Sequence, residues 1–458
     1  MHEDTISAIA TAVGEGGIGI VRLSGSLSLK IADKIFLASN HQQINEIASH
    51  RAVYGHVIDP KDNAVIDEVI LIAMHAPHSY TREDVVEIQC HGGVVALRSI
   101  LELTLHSGAR LAEPGEFTKR AFLNGRLDLM QAQAVIDIIR AKTDASLRMA
   151  VGHLEGFFSD RINGYRHSIL ELIAHLEAAI DFPEDDIDEL ATDEVREKIL
   201  IIKEDLESLL ATAKKGRVLR EGLETVIVGK PNVGKSSLLN MLLNEERAIV
   251  TDIPGTTRDS IEEYANVGGI PLKIIDTAGI RETDDAVEKI GVRKAHDYIE
   301  RADLVLVMID ASRPLGDEDK SILSLAQHRP AIVLLNKSDL TNCIGKNDFS
   351  GFDQECICLS TRTGQGMDEL EKAIISMVFQ GNAVQKEGAF VNNVRQEEIL
   401  RHALQYIGEV LHTVDLGMSP DFIVIDLRAA WEKLGELTGD TVGEDIITEI
   451  FSKFCIGK

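Results

Sequence analysis

The amino-acid sequence predicts a multidomain protein in which an α/β domain is inserted into an α-helical domain, and both follow an N-terminal α+β domain. Residues 1–118 mix short strand-like runs with turn signals, which is typical of a small α+β domain. Residues 119–215 and 381–458 carry a helical period, whereas residues 216–380 alternate strands with helices. A chain of 458 residues is long enough for several domains.

In the N-terminal part, runs rich in β-branched residues indicate strands and longer apolar segments indicate helices. Strands are predicted at Ile18–Leu23, Val69–Met74 and Val85–Ile88, and helices near Leu27–Leu37 and Gly92–Ser107. The glycines of Gly14–Gly19 formally satisfy the dinucleotide-binding spacing GxGxxG. A dinucleotide site needs a helix directly after these glycines, and a strand-like run follows them instead, so we exclude NAD or FAD binding there.

Two stretches place apolar residues three or four positions apart, which is the period of one helix face. They are Ile169, Ile173, Leu176 and Ile180 before the α/β region, and Leu400, Leu404, Ile407 and Leu411 after it. The proline and clustered acids of Asp181–Glu189 predict a turn between helices. Since the ends of a domain often lie close together, we expect both helical stretches to form one domain around the insertion.

The α/β region contains five short runs that are rich in β-branched and other apolar residues. They are Val226–Val228, Lys273–Ile275, Leu304–Ile309, Ile332–Leu335 and Cys356–Leu359. Strands that alternate with helices in this way favour a mostly parallel sheet covered by helices on both faces.

Charge and cysteine content limit the classes of protein to consider. The formal charge of −27 argues against a generally basic nucleic-acid-binding surface, although a local basic patch or a partner protein could still contact RNA. The five cysteines show no zinc spacing, and their odd number fits no closed set of disulfides, which favours a reducing cytoplasm. We expect neither a signal peptide nor a membrane span, because no apolar run approaches ~20 residues.

A phosphate-binding loop is the strongest motif in the chain. The segment Gly229-Lys-Pro-Asn-Val-Gly-Lys235-Ser236 matches GxxxxGK[ST], and it follows a predicted strand and opens a predicted helix. Its backbone amides can approach phosphate oxygens, and Lys235 can neutralise the β- and γ-phosphates. Ser236 is the predicted ligand of a Mg²⁺ ion.

Further motifs follow later strands and select guanine. An aspartate in Asn336-Lys-Ser-Asp339 can accept both N1–H and N2–H of guanine, which adenine does not offer, so the nucleotide is predicted to be GTP. Thr257 is the predicted second Mg²⁺ ligand, in a switch loop. The predicted GTP contacts are Asn232, Val233, Gly234, Lys235, Ser236, Ser237, Thr251, Asp252, Ile253, Pro254, Gly255, Thr256, Thr257, Asp276, Thr277, Ala278, Gly279, Asn336, Lys337, Asp339, Ser360, Thr361 and Arg362.

The residue after Asp276-Thr-Ala-Gly279 is Ile280, which cannot orient an attacking water as a glutamine would. Other groups must therefore stabilise the charge on the transferred phosphoryl group and orient the attacking water. Asn232 offers an amide oxygen that, with carbonyls of the Thr251–Thr256 loop, could bind a monovalent cation. Glu288 is a candidate for positioning the water, and an ordinary surface acid is the alternative.

Asn232 together with Thr251-Asp-Ile-Pro-Gly-Thr-Thr-Arg-Asp259 resembles the potassium-activated bacterial GTPases, which include Era. Four other segments resemble one family within that group, the MnmE (TrmE) tRNA modification GTPases, and the likeness spans essentially the whole chain. These segments are Gly16-Gly-Ile-Gly-Ile-Val-Arg-Leu-Ser-Gly25, Glu113-Pro-Gly-Glu-Phe-Thr118, Ala178-Ala-Ile-Asp-Phe-Pro-Glu184 and Phe454-Cys-Ile-Gly-Lys458.

The resemblance implies a Ras-like GTPase domain and an N-terminal domain similar to folate-binding one-carbon transferases, which also forms a homodimer. It implies a heterotetramer with the FAD-containing protein MnmG, which installs a carboxymethylaminomethyl group at C5 of uridine 34 in certain tRNAs. The one-carbon donor would be 5-formyl or 5,10-methylene tetrahydrofolate. Potassium-dependent pairing of two GTPase domains would accompany hydrolysis.

The resemblance also assigns roles to single residues. The potassium ligands are implied to be Asn232, Thr251, Ile253 and Thr256, the water-orienting acid Glu288, and the folate contacts Arg22, Glu87, Arg126 and Lys458. The sequence departs from some relatives at Arg126, where they have lysine, and at Thr361, where they have alanine. Cys455 either assists chemistry near the folate or belongs to a frayed tail, and a catalytic role would need a thiolate.

Two other functions compete with tRNA modification. A ribosome-assembly GTPase of the Era/EngA type would bind RNA without covalent chemistry, and a signalling GTPase would only recruit partners. Residues 381–458 contain no GxxG clamp on a basic surface, which disfavours the hypothesis of a ribosome-assembly GTPase. The folate-like N-terminal part and the Cys455 tail favour the modification enzyme.

Overall fold

The computed structural model consists of two sheets joined by a helical body, and it confirms the predicted fold class. We use the names N-terminal unit for 4–126, helical unit for 127–222 with 390–458, and α/β unit for 223–379. The structure describes residues 4–181, 192–244, 263–275, 299–349, 354–379 and 390–458.

The N-terminal unit is built on a seven-stranded sheet with the order β3-β4-β5-β6-β2-β1-β7. Helices α1 (Ser28–Ile35) and α2 (Val94–His106) contribute to its apolar core, and α3 (Glu116–Leu123) follows the last strand. The strands are β1 (Ile6–Ile9), β2 (Gly19–Ser24), β3 (Phe36–Ala38), β4 (Arg51–Ile58), β5 (Val65–Met74), β6 (Val85–Cys90) and β7 (Arg110–Leu111).

The helix predicted near Leu27–Leu37 is shorter than the sequence indicated. It ends at Ile35, and Phe36–Ala38 continue as an edge strand that pairs antiparallel with β4. Phe36 is buried in the core of the unit, so pairing with the sheet overrides the local helical period.

Helices on both sides of the α/β unit contribute to the larger apolar core of the helical unit, and a smaller cluster packs α4 against the helix Glu444–Ser452. The helices before it are α4 (Leu129–Arg140), α5 (Asp144–Leu154), α6 (Phe157–Asp181), α7 (Thr192–Leu210) and α8 (Ala213–Glu221). Val394–Asp415, Pro420–Thr438 and Glu444–Ser452 form the helices after it. Ile169 and Leu176 share this core with Leu400 and Ile407, so the two helical stretches pack together as predicted.

The α/β unit is a six-stranded sheet with the order β13-β12-β11-β8-β10-β9, in which only β9 runs antiparallel to its neighbour. Helices α9 (Lys235–Asn244), α10 (Asp317–Ala326) and α11 (Met367–Phe379) belong to this unit. In chain order, the helices after this unit are α12 (Val394–Asp415), α13 (Pro420–Thr438) and α14 (Glu444–Ser452). The strands are β8 (Leu223–Val228), β9 (Glu263–Val267), β10 (Ile270–Ile274), β11 (Leu304–Asp310), β12 (Ala331–Asn336) and β13 (Glu355–Cys358).

Cores lie on both faces of this sheet, as its nearly continuous apolar strands require. Ala145 and Met149 of α5 pack into one of these cores, so the helical unit and the α/β unit share buried surface. Within the described ranges, no helix combines the length and the apolar character needed to cross a membrane.

Candidate functional site

The predicted nucleotide contacts that the structure describes lie at one edge of the α/β sheet. Strands β8, β11, β12 and β13 are parallel, so their carboxyl ends share this edge. The phosphate loop follows β8, the segment 336–339 begins at the last residue of β12, and the segment 360–362 follows β13. In open parallel sheets, this edge is where ligands bind.

The phosphate loop has the backbone conformation expected for a loop that surrounds an anion. Gly229 and Gly234 have φ of 154° and 108°, which side chains with a Cβ rarely adopt. Asn232 has φ of 62°, a left-handed conformation that asparagine tolerates better than most residues. The loop leads directly into α9, and the amides at the N-terminus of a helix favour the binding of phosphate oxygens.

The Lys235 side chain is held against this loop by backbone carbonyl groups of the loop itself. Its Nζ donates hydrogen bonds to the carbonyl oxygens of Gly229 at 2.9 Å and Lys230 at 2.8 Å. Burial lowers the pKa of the Lys235 ammonium. A phosphate group beside it would favour the charged form and would therefore be bound strongly.

Asn336 connects the phosphate loop to the segment after β13. Its buried Nδ2 donates to the carbonyl of Val233 at 2.6 Å and to Oγ1 of Thr361 at 3.2 Å, while its Oδ1 accepts from the amide of Thr361 at 3.0 Å. A Cβ on Gly234 would overlap the Asn336 amide, so glycine is needed for this approach. Asn336 thus acts as a brace between two loops.

Asp339 is exposed at the same edge, where its carboxylate can face a base. Oγ of the fully buried Ser360 donates to Asp339 Oδ1 at 2.8 Å, and the amide of Ser338 donates to the carbonyl of Leu359 at 3.1 Å. The carboxylate is therefore oriented before any ligand arrives, which lowers the cost of binding.

Several predicted residues lie outside the described part of the chain. They are Thr251, Asp252, Ile253, Pro254, Gly255, Thr256, Thr257, Asp276, Thr277, Ala278, Gly279 and Glu288. The described residues contain no group of three or more His, Cys, Asp or Glu side chains arranged to hold a metal. The described part of the nucleotide site therefore consists of the phosphate loop and the segments 336–339 and 360–362.

A second cluster of predicted residues lies in the N-terminal unit. Arg22 and Glu87 face each other across β2 and β6, and the Arg22 Nη2–Glu87 Oε1 distance is 2.8 Å. Both side chains are only 15% exposed. Arg22 Nη1 also donates to the carbonyl of Gly457 at 3.4 Å, so the chain's last residues reach this pair.

The C-terminal tail is docked rather than frayed. Amides at the start of α3 donate to tail carbonyls, with Gly115 N to Cys455 O and Phe117 N to Lys458 O both at 3.2 Å. These are amides that a helix start would otherwise leave unpaired. Burial, and then the nearby Arg22, lower the pKa of Lys458. The Cys455 thiol itself is exposed and free.

Arg126 joins the cluster through an aromatic ring. Its guanidinium lies over the Tyr80 ring at 4.7 Å, and its Nη1 donates to the Tyr80 carbonyl at 3.2 Å. Arg22 lies 5.7 Å from the same ring centre and 5.6 Å from that of Phe117. All four residues predicted to contact folate therefore gather around Tyr80, Phe117 and the tail.

Comparison with known proteins assigns the chain to a family. The model of the MnmE helical domain matches residues 129–455, and that of the TrmE N-terminus of GTP-binding proteins matches residues 5–126. The chain belongs to the MnmE family. The tRNA modification GTPase MnmE of Alkaliphilus oremlandii (strain OhILAs) is 50% identical over 458 residues, which is 100% of this chain and 99% of that protein. MnmE of Thermoanaerobacter sp. (strain X514) is 51% identical over 457 residues, which is 99% of each chain.

A solved structure with sequence likeness is the G domain of the FeoB iron transporter from T. maritima. It is 24% identical and covers 34% of this chain and 97% of its own, but its TM-score of 0.26 is too low to compare the folds. The MnmE assignment therefore depends on the family models and the full-length relatives.

In this MnmE chain, the structure adds a residue to the nucleotide site that sequence reasoning missed. Asp310 ends β11, and its Oδ2 accepts from Lys337 Nζ at 2.6 Å. Burial alone would raise the Asp310 pKa, but hydrogen bonds from Lys337 and Ser312 outweigh it and lower the pKa. An acid at the end of a strand in this sheet was the available signal, because strand ends meet at the binding edge.

A second missed contact anchors the phosphate loop of this MnmE chain from outside. Lys230 Nζ lies 2.6 Å from Asp319 Oδ2 in the first turn of α10, and the same oxygen accepts from the Gly316 amide at 2.9 Å. The buried Asp319 thereby ties the start of α10 to the loop. No sequence pattern pairs these residues, since 89 positions separate them.

Proposed function

We propose that this chain hydrolyses GTP and uses the reaction to modify tRNA. With the FAD-containing partner MnmG, it adds a carboxymethylaminomethyl group to C5 of uridine 34 in certain tRNAs. The observation that carries the proposal is the preformed guanine side of the nucleotide site, in which Ser360 orients Asp339 and Asn336 braces the phosphate loop. Membership of the MnmE family supports the same function.

In the proposed reaction, the amides of residues 232–237 and Lys235 bind the phosphates. Asp339 accepts two guanine N–H groups, and the segment Ser360–Arg362 offers a backbone N–H to guanine O6. The Arg362 amide is the candidate, because the Thr361 amide donates to Asn336 Oδ1 and the Ser360 amide donates to the Gln365 carbonyl. Binding in this way orients the γ-phosphate for in-line attack by water. Glu288 would accept a hydrogen bond from that water and hold it in line.

The residue types at the loop fit the two proposed cations. Ser236 lies in the first turn of α9 and, with Thr257, would hold Mg²⁺ through hydroxyl oxygens, which are the hard donors that Mg²⁺ prefers. Asn232 has a left-handed backbone and an exposed side chain, so its amide oxygen is available to a K⁺ ion with Thr251, Ile253 and Thr256. Such a cation would supply positive charge beside the transferred phosphoryl group.

The cluster around Tyr80 fits a folate. Its aromatic faces suit a flat pterin, the guanidinium groups of Arg22 and Arg126 suit the carboxylates of a glutamate tail, and the Glu87 carboxylate suits pterin N–H groups. We propose that 5-formyl or 5,10-methylene tetrahydrofolate binds there and supplies the one-carbon unit. Lys458 would add a positive charge, and the exposed Cys455 would take part as a thiolate.

The proposed working form is a homodimer that joins MnmG in a heterotetramer in the cytoplasm. The acidic chain, with a formal charge of −27, is a poor general binder of RNA, which fits shared recognition of tRNA with a partner.

The test is nucleoside analysis of tRNA from cells that lack this chain. We expect the carboxymethylaminomethyl uridine to disappear and to return with the wild-type gene. A gene carrying Asp339→Ala should not restore it, whereas the exposed Asp348→Ala should. Normal modified uridine in the deletion strain would overturn the proposed function.

A further inference from the structure

The chain crosses between the helical unit and the α/β unit twice, and both crossings meet at one carboxylate. The first crossing runs from α8 through Gly222 into β8, and the second reaches α12 through residues 390–393. Asp137 of α4 contacts a residue at each of them.

The two oxygens of Asp137 are divided between the crossings. Oδ1 accepts from Arg220 Nε at 2.8 Å, and Oδ2 accepts from Asn392 Nδ2 at 3.0 Å. The Asp137 side chain is 7% exposed and Asn392 is 1% exposed. A carboxylate this deeply buried is stable only while it is paired, so loss of either partner weakens the whole arrangement.

His153 completes the cluster as a neutral partner. Its Nδ1 lies 3.5 Å from Asn392 Nδ2, and burial lowers the His153 pKa to about 4 despite the nearby Asp137. The ring is therefore neutral at pH 7, and in the tautomer that leaves Nδ1 without a proton it accepts the second N–H of Asn392. The charge of Asp137 is balanced by Arg220 alone within this cluster.

Other contacts fix the second crossing in the helical unit. The amide of Val391 donates to Thr212 Oγ1 at 3.0 Å, and the amide of Asn392 donates to Gln396 Oε1 at 2.9 Å. A Cβ on Gly216 would overlap the Val391 carbonyl, so α8 packs directly against this segment. The segment is a fitted part of the helical unit rather than a loose linker.

The first crossing connects rigidly to the nucleotide site. Helix α8 ends at Glu221, and after Gly222 the six residues of β8, ~20 Å of strand, lead to the phosphate loop. Ser146 Oγ of α5 donates to the carbonyl of Leu219 at 2.5 Å and holds the same end of α8. The phosphate loop is therefore joined to the helical unit by a short segment that the Asp137 cluster holds two residues before Gly222.

We propose that Asp137 is a positioning residue that clamps both crossings at one point. The clamp sets the orientation of the α/β unit, so that events at the nucleotide reach the helical and N-terminal units as a concerted movement. The catalytic part of this inference rests on the proposed function, whereas the orientation of the units can be measured without it.

The test compares Asp137→Asn with Asp415→Asn in the full-length protein. Asp415 also pairs with an arginine, Arg196, at 2.8 Å between Nε and Oδ1, but this pair is more exposed and joins α7 to α12 within the helical unit. Spin labels on Asn163→Cys and Lys320→Cys, with the exposed Cys343 and Cys455 replaced by serine, report distances between the two units. Kinetics are measured in the background with native cysteines.

For Asp137→Asn, we expect a broader distribution of distances between the two spin labels. The kcat and KM for basal GTP hydrolysis should be unchanged. The kcat for tRNA modification should be roughly tenfold lower, with an unchanged KM for tRNA. Arg220→Lys should restore part of the order that Arg220→Gln loses, and Asp415→Asn should match the wild type. A distribution as narrow as in the wild type, or a broad one with full modification, would overturn the proposal.

Asn392→Ser keeps the Asp137–Arg220 ion pair and replaces Asp137→Asn if that variant fails to fold. The distances between its spin labels support or overturn the proposal by the same outcomes. Wild-type protein that modifies no tRNA would contradict the proposed function, while the distance measurements would still test the clamp.

Discussion

The nucleotide site and the cluster around Tyr80 are built by opposite means. In the nucleotide site, three short motifs each follow a parallel strand, so the sheet brings them to one edge. In the cluster around Tyr80, the contact between Arg22 and Gly457 joins positions 435 apart in sequence, and the C-terminal tail must dock on α3 to make it. The first site depends on local chain geometry, whereas the second depends on the tertiary fold as a whole.

Lys235→Ala should have the largest effect, because it removes the half-buried ammonium on which the nucleotide site depends. We expect GTP affinity to fall by about 1,000-fold, since a lost charge-assisted contact to phosphate costs several kcal/mol. Calorimetric titration with GDP and a non-hydrolysable GTP analogue measures this loss. Lys372→Ala, at an exposed position on α11, should bind as the wild type does, and an equal loss in both variants would contradict the assignment.

Asp339→Asn tests whether the base is selected by one carboxylate. An amide cannot accept two N–H groups, but it can donate to the C2 carbonyl of xanthine, so the preference should shift from GTP to XTP. We expect a loss of about 100-fold in GTP affinity with a gain for XTP. Competition binding with both nucleotides would show it, and retained GTP preference would mean that other residues read the base.

Arg22→Ala addresses the other region and should leave the nucleotide site intact. Removing its guanidinium breaks the pair with Glu87 and the contact with the tail, so the affinity for 5-formyl tetrahydrofolate should fall about tenfold. Fluorescence titration measures it, with Arg98→Ala on the exposed face of α2 as the matched control. The intact protein is needed, because Lys458 and Arg126 lie outside residues 1–118. Unchanged folate affinity would remove Arg22 from the proposed site.

Asp310→Asn should give the smallest effect. The Asp310–Lys337 pair is partly exposed, so its loss should weaken GTP binding only about threefold. Stopped-flow measurement of nucleotide dissociation resolves such a change. A 100-fold loss would show instead that Asp310 contacts the nucleotide itself.

Sequence reasoning reached the nucleotide site because each motif carries its own structural context. Gly229–Ser236 follows the strand β8 and runs into the start of α9, as the motif predicted. The joining of both helical stretches was also predictable, since each has one apolar face that must be buried. The bounds of the domains stay predictions.

Other features depend on contacts that no local pattern encodes. Strand β9 (Glu263–Val267) was missed because its alternation is weak and it lies at the sheet edge. The Asp137 clamp joins residues from α4, α8 and the approach to α12, and each of these would be read alone as an ordinary polar residue. Only the fold brings them together.

We expect Asp339 to select guanine, and Lys235 with its loop to bind the phosphates, in a site that is formed before the nucleotide arrives. Calorimetric titration of the purified protein with GDP and with ADP, in magnesium buffer, tests it most directly. We predict tight binding of GDP and at least about 100-fold weaker binding of ADP. Equal affinity for the two nucleotides, or no binding of either, would contradict the account.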